Sequence, residues 1–248
     1  MHEINLAMLK QILPLLIFLS IFSEATAQTG NKAAAYFKAG LDFKEKNMFA
    51  DAVLAFRKAI ALNKLYDSAY VELASINLKS SSHDSAILNL NKALSISPNM
   101  TSALIALGNV YRDYRPNYDS AIICYKSATK VDSTNKLAYY SLAWCYNAKQ
   151  EFENAIPFAI KALEIDNNYR PAYGELGHAY RRSKKFAEAI EQFRKNRAVS
   201  AIDLPIFYSG MCYTQLNDKE GALKDYEELK KVNEKMAAAL KKEIDKMK

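Results

Sequence analysis

Apolar and polar residues alternate along this chain with a helical period, and the pattern repeats. Residues spaced i, i+4, i+7 share one face of a helix. Such triplets occur as Tyr36, Gly40 and Phe43, as Tyr70, Ala74 and Asn77, and as Leu104, Gly108 and Tyr111. They return as Tyr139, Ala143 and Tyr146, as Tyr173, Gly177 and Tyr180, and as Ile206, Gly210 and Tyr213. Each triplet is followed by a second apolar stripe opened by an alanine. These alanines are Ala52, Ala86, Ala121, Ala155, Ala189 and Ala222, at intervals of 34, 35, 34, 34 and 33 residues. Seven residues further on stand Ala59, Ala93, Ala128 and Ala162, replaced in the last two units by Asn196 and Leu229. The pattern predicts six pairs of helices. In each, a large, small and aromatic face on the first helix meets a shallow alanine face on the second. A single pair cannot cover its own apolar side, so neighbours must stack and the ends must be closed by polar surfaces.

These columns resemble the tetratricopeptide repeat family, over residues 33 to about 236. The resemblance implies an all-α, right-handed superhelical solenoid of six helix-turn-helix repeats, at about 33–66, 67–100, 101–135, 136–169, 170–202 and 203–236. The proline usual near the end of the repeat is present only as Pro98. The third unit carries one extra residue near Tyr114-Arg115-Pro116-Asn117, which predicts a longer turn between its helices. Residues 232–248 place Met236, Leu240, Ile244 and Met247 at helical spacing among lysines and glutamates, as expected of a capping helix.

Two prolines test the register. Pro171 falls where a helix begins, a position that tolerates proline. Pro157 is expected in the first turn of the eighth helix, where its missing N–H has no partner to lose. The tripeptide Asp-Ser-Ala recurs at 67–69, 84–86 and 119–121. It resembles a glycosylation acceptor of some secreted bacterial proteins. It also supplies residues that serve as helix N-caps.

The first 27 residues break the pattern. Lys10 is followed by the apolar run from Ile12 to Phe22 and by the small-residue site Ala25-Thr26-Ala27. These are the parts of a secretory signal peptide, with Gln28 as the first mature residue. The uncharged stretch from Gln11 to Ser23 is short of the ~20 residues needed to span a bilayer. The expectation is an exported protein, periplasmic or extracellular. Losing Lys10, Glu3 and Glu24 moves the formal net charge of +7 one unit further positive. That balance suits an acidic partner or peripheral association with an envelope surface, and falls short of a nucleic-acid signature.

Candidate chemistry is sparse. The sequence has no GxSxG, HExxH, glycine-rich phosphate loop or zinc-ligand spacing. Cys124, Cys145 and Cys212 form no CxxC pair and read as core residues, with a Cys124–Cys145 bridge as the alternative. The expectation is a non-enzymatic chain with no cofactor, no metal and no small-molecule substrate.

In the family, positions 5, 9 and 12 of each first helix line a concave groove that holds a protein or peptide. Carried onto this chain, the resemblance implies a groove containing Phe37, Asn109, Arg112, Tyr140, Trp144, Asn147, His178, Arg181 and Phe207. A known subclass clamps a carboxyl terminus with Lys and Asn at positions 5 and 9 of its first unit. Those positions are Phe37 and Leu41 here, so that use is not implied. The fifth unit gathers Arg170, Arg181, Arg182, Lys184, Lys185, Arg194, Lys195 and Arg197, either a solvated face or a docking patch for acidic groups. The function expected is an exported scaffold or adaptor that binds a protein segment. The alternatives are a structural spacer or assembly factor of an envelope complex, or a membrane-tethered sensor if the leader is retained.

Overall fold

A computed structural model describes residues 28–114, 116–197 and 203–247. The expected leader, residues 1–27, lies outside them. Among the described residues there are thirteen helices and no strand, an all-α helical repeat fold. Helix α1 occupies residues 28–45. It is followed by α2 (Phe49–Leu62), α3 (Asp67–Lys79), α4 (His83–Ile96) and α5 (Thr101–Asp113). Then come α6 (Tyr118–Val131), α7 (Lys136–Ala148), α8 (Phe152–Ile165) and α9 (Arg170–Arg182). The series ends with α10 (Phe186–Arg197), α11 (Asp203–Gln215), α12 (Lys219–Lys230) and α13 (Glu234–Ile244). The chain divides into two compact units, one ending at Ala103 and the other beginning at Leu104. In the second unit α7 packs on α8 and on α9, and α11 packs on α12 and on α13, while α9 packs on α8 and α10. Helix α13 buries Ala237, Leu240 and Ile244 against α11 and α12.

The small-residue column explains the close helix pairs. A Cβ added at Gly108 would lie 2.6 Å from the ring of Tyr125, and one at Gly177 would lie 2.6 Å from the ring of Phe193. Tyr125 and Phe193 are buried on the second helix of the same pair. At the equivalent positions of the second pair stand Ala74 and Leu90, and of the fourth pair Ala143 and Ala159, all buried. Space removed on one helix is filled from the other in the Gly108–Tyr125, Gly177–Phe193 and Ala74–Leu90 pairs, whereas in the fourth pair both positions are small.

The turn inside each pair is a second repeated device. Asn47, Ser81, Gln150, Lys184 and Asn217 all have φ between 55° and 63°. One residue later an amide reaches back to the aromatic column, as Glu151 N–H donates to Tyr146 O at 2.9 Å and Lys185 N–H to Tyr180 O at 2.8 Å. This is the Schellman closure of a helix C-terminus. In the third pair the donor is Asn117 and the acceptor Tyr111, 2.8 Å apart, so the extra residue is taken up in a loop closed on the same carbonyl.

Three expectations are corrected or resolved. Pro157 is the sixth residue of α8, past the first turn, so it does remove a helical hydrogen bond. The position is exposed, which leaves the unpaired Glu153 carbonyl to solvent. Asp67, Asp84 and Asp119 are not caps. They sit in the first turns of α3, α4 and α6, where a negative charge meets the positive end of the helix dipole, and the caps are Tyr66, Ser82 and Asn117. Cys124, Cys145 and Cys212 are free thiols, all buried, and burial raises them to about 11, 12 and 12.

Candidate functional site

The expected groove residues fall into three groups. Phe37, in the first unit, stacks on Tyr66 at 4.9 Å and leans on Phe56 at 5.5 Å. Asn109 accepts a hydrogen bond of 2.7 Å from the buried Tyr125 hydroxyl. Phe207 packs beside Tyr208 at 5.7 Å. These three side chains serve mainly their own neighbourhood.

The position-12 residues do something the family pattern did not imply. Four of them, Lys44, Arg112, Asn147 and Arg181, reach the next odd-numbered helix. Lys44 pairs with Glu72 at 2.5 Å in the first unit. In the second unit Arg112 donates to Asp113 and reaches the Ser141 hydroxyl at 3.4 Å. Asn147 donates to the Glu175 backbone carbonyl at 3.0 Å and to Glu175 Oε2 at 2.8 Å. Arg181 lays its guanidinium over the Tyr208 ring at 4.6 Å. Arg112, Asn147 and Arg181 therefore tie successive hairpins together, and their polar ends are not simply displayed to a groove. The Asp113 carboxylate holds the Arg112 guanidinium firmly in its charged form.

Tyr140, Trp144 and His178 form the third group. Tyr140 meets Tyr169 edge-on at 5.6 Å. Trp144 meets Tyr118 edge-on at 5.7 Å and carries the Arg112 guanidinium 5.4 Å above its ring. One part of the indole borders a cleft of about 440 Å³ between α7, α9, α10 and α11. The cleft walls include Phe193, Leu204, Pro205 and Tyr208, and its polar groups come from Asn147, Glu175, His178 and Asn196. Gly174 opens the wall, since a Cβ there would lie 3.3 Å from Asn196 Nδ2. Three of the sequence-derived residues, Trp144, Asn147 and His178, thus meet at one opening. Glu175, Phe193, Leu204, Pro205 and Tyr208 complete it and were not anticipated. The available signal for Glu175 was a polar residue 28 positions after a polar position 12, as Glu72 follows Lys44.

The electrostatics of the cleft are set by burial. His178 is pushed down to about 4, first by desolvation and then by Arg181 and Arg182, so it is neutral at pH 7. Burial raises the Glu175 carboxyl, while the Asn147 amide and the more distant Arg112 act the other way. An imidazole whose folded pKa lies below its unfolded value near 6.5 takes up its proton more readily when unfolded. Its contribution to stability is complete above pH 6.5 and is lost as pH falls toward 4. Urea unfolding between pH 7 and pH 4 is expected to show a loss on the order of 2–3 kcal/mol that the His178→Gln variant lacks. Parallel curves for the two proteins would refute this assignment.

Most of the basic residues of the fifth hairpin find partners within the chain. Arg182 lies over Phe152 at 4.8 Å, and Lys185 pairs with Glu153 at 3.0 Å. Lys195 pairs with Glu191 at 2.7 Å, and Arg197 with Asp225 at 2.9 Å. Arg170 reaches the Asn196 carbonyl and Arg194 the Tyr213 hydroxyl. Among the described residues no group of three His, Cys, Asp or Glu side chains is placed to hold a metal ion, and no helix is long and apolar enough to cross a membrane.

Comparison with known proteins agrees with this geometry. Tetratricopeptide repeat profiles match residues 37–101, 137–169, 171–195 and 206–233, together well over half of the chain. The chain is 28% identical over 109 residues to anaphase-promoting complex subunit 3 of Schizosaccharomyces pombe. That match takes in 44% of this chain and 16% of the relative, so the chain spans less than a fifth of the relative's length. Among solved structures it resembles YrrB, described as a TPR protein with an unusual peptide-binding site. The identity is 22% and the TM-score 0.69, covering 76% of this chain and 98% of the other. It also resembles PilW, a type IV pilus biogenesis factor, at 15% identity and TM-score 0.67, over 84% and 97% of the two chains. Paired helices, the glycine and alanine columns and the matching profiles lead to one conclusion: the chain belongs to the tetratricopeptide repeat family.

Proposed function

We propose that this protein is an exported, non-enzymatic scaffold that holds a segment of a partner protein at the cleft beside Trp144. The observation that carries the reading is the cleft itself. Its walls are aromatic and aliphatic, a few polar groups converge on it, and a single tryptophan stands at its edge. Buried aromatic anchors with polar neighbours are what protein hot spots use. YrrB, with its peptide-binding site, and PilW, a biogenesis factor, support a scaffold role by their likeness in fold. The export reading rests on the leader-like residues 1–27, and sequencing the mature N-terminus tests it, with Gln28 as the expected first residue.

The binding test is capture of partners by full-length protein from its native envelope, with mass spectrometry of what is retained. Trp144→Ala is expected to lose the captured partner by tenfold or more, while Leu88→Ala retains it. Equal capture by Trp144→Ala and wild type would remove the reading.

One observation favours an assembly factor that works through its outer helices. Leu54 and Leu88 occupy equivalent positions on α2 and α4 and are 57% and 72% exposed. Crosslinks from a partner to α2 and α4, rather than to α7 and α9, would select that reading.

A further inference from the structure

Glu175 is a carboxylate set into an apolar cleft without a counter-ion. Its Oε2 accepts from Asn147 Nδ2, an uncharged donor, at 2.8 Å. Among the described residues no lysine, arginine or histidine forms an ion pair with it. The nearby cations are engaged elsewhere, Arg112 by Asp113 and the Trp144 ring, Arg170 by the Asn196 carbonyl, and Arg181 by the Tyr208 ring. His178, which borders the same cleft, contributes no positive charge at pH 7. Elsewhere in the fold the equivalent acid does have a cation, since Glu72 is neutralised by Lys44. In the fourth hairpin asparagine stands where that lysine would be, so the charge of Glu175 is left for something outside the chain to meet.

The shape of the cleft says what that something is. A carboxylate at the wall of an apolar cleft matches a side chain with a long hydrocarbon stem and a cationic tip. Trp144, Phe193 and Tyr208 line the cleft and offer apolar surface for such a stem. A charged hydrogen bond formed in such a desolvated place is stronger than one on an open surface.

We propose that the cleft receives a lysine or arginine side chain of the partner segment, its stem lying against Trp144, Phe193 and Tyr208 and its charged end meeting the Glu175 carboxylate. This rests on the scaffold reading above and names the chemistry that the scaffold selects.

The test uses full-length protein and a phage-displayed random dodecapeptide library as probe. Sequences selected by the wild type are expected to share one fixed lysine or arginine. A selected peptide made synthetically should bind Glu175→Gln at least tenfold more weakly. The side-chain amide of that variant keeps a carbonyl to accept from Asn147, so an unchanged melting temperature shows that the fold is intact. Replacing the fixed basic residue of the peptide by norleucine should weaken binding to the wild type by a similar factor and leave binding to Glu175→Gln unchanged. Selected peptides with no fixed basic residue, or equal binding of the peptide to wild type and Glu175→Gln, would overturn the proposal and leave the scaffold reading standing. Failure to select any peptide, or selected peptides indifferent to Trp144→Ala, would overturn both.

Discussion

Phe193→Ala is expected to destabilise the protein by about 3–5 kcal/mol, as truncation of a buried aromatic does. The ring is 2% exposed and fills the notch left by Gly177, so the neighbouring helices cannot close on the cavity without a shift of backbone. The paired substitutions give a finer test. Gly177→Ala puts a methyl group 2.6 Å from the ring. Overpacking of that kind costs about 1–3 kcal/mol, against a gain of about 1 kcal/mol in helix propensity. Phe193→Leu should relieve the clash, because alanine and leucine already hold these positions as Ala74 and Leu90 in the second pair. In urea titrations the double variant is expected to be at least ~1 kcal/mol more stable than the sum of the singles predicts. Strict additivity would show that the two positions do not share a volume.

The second large effect is expected at Arg197. Its guanidinium donates to Asp225, whose side chain is only 4% exposed, and also contacts Glu228. Burial already pushes the Asp225 carboxyl above its ordinary range, with Arg197 opposing that rise. Arg197→Ala leaves the carboxylate desolvated and without its counter-ion, a change that costs about 3 kcal/mol at pH 7. The sign with pH follows from the raised folded pKa. Protonation neutralises Asp225 more readily in the native state than in the unfolded chain, so acidification favours the native state of the variant. The deficit against wild type should therefore shrink between pH 7 and pH 5. A deficit unchanged over that range would mean that lost packing, not charge, explains the effect. The double variant Arg197→Met with Asp225→Leu should recover most of the loss, since an apolar pair of similar bulk needs no counter-ion.

Much of the fold was legible because it is periodic. Gly108 and Gly177 mark close approach, Ala121 and Ala189 mark the facing surface, and both columns keep register over six units. Less was legible where several residue types satisfy one physical need. The left-handed turn positions are Asn47, Ser81, Gln150, Lys184 and Asn217. No glycine marks them, because a Schellman hydrogen bond and packing around the turn offset the cost of a side chain there. Of the site, Trp144, Asn147 and His178 were read from family positions, and they do meet at one cleft. Glu175 does not stand in a groove column, so family positions do not point to it. Its significance lies in a pairing across 28 residues that is an ion pair in one hairpin and an amide–carboxylate contact in another. The ties made by Arg112 and Arg181 were hidden for the same reason, since spacing within one helix does not say which side chain waits on the next.

The three cysteines have a practical consequence. They lie on α6, α7 and α11, in the third, fourth and sixth helix pairs, and each is buried, with burial holding its thiol protonated. Alkylating reagents attack the thiolate, so each sulfur stays silent until its own hairpin opens. The unaltered chain therefore carries three clocks. The rates at which Cys124, Cys145 and Cys212 become labelled report, hairpin by hairpin, the order in which the array comes apart.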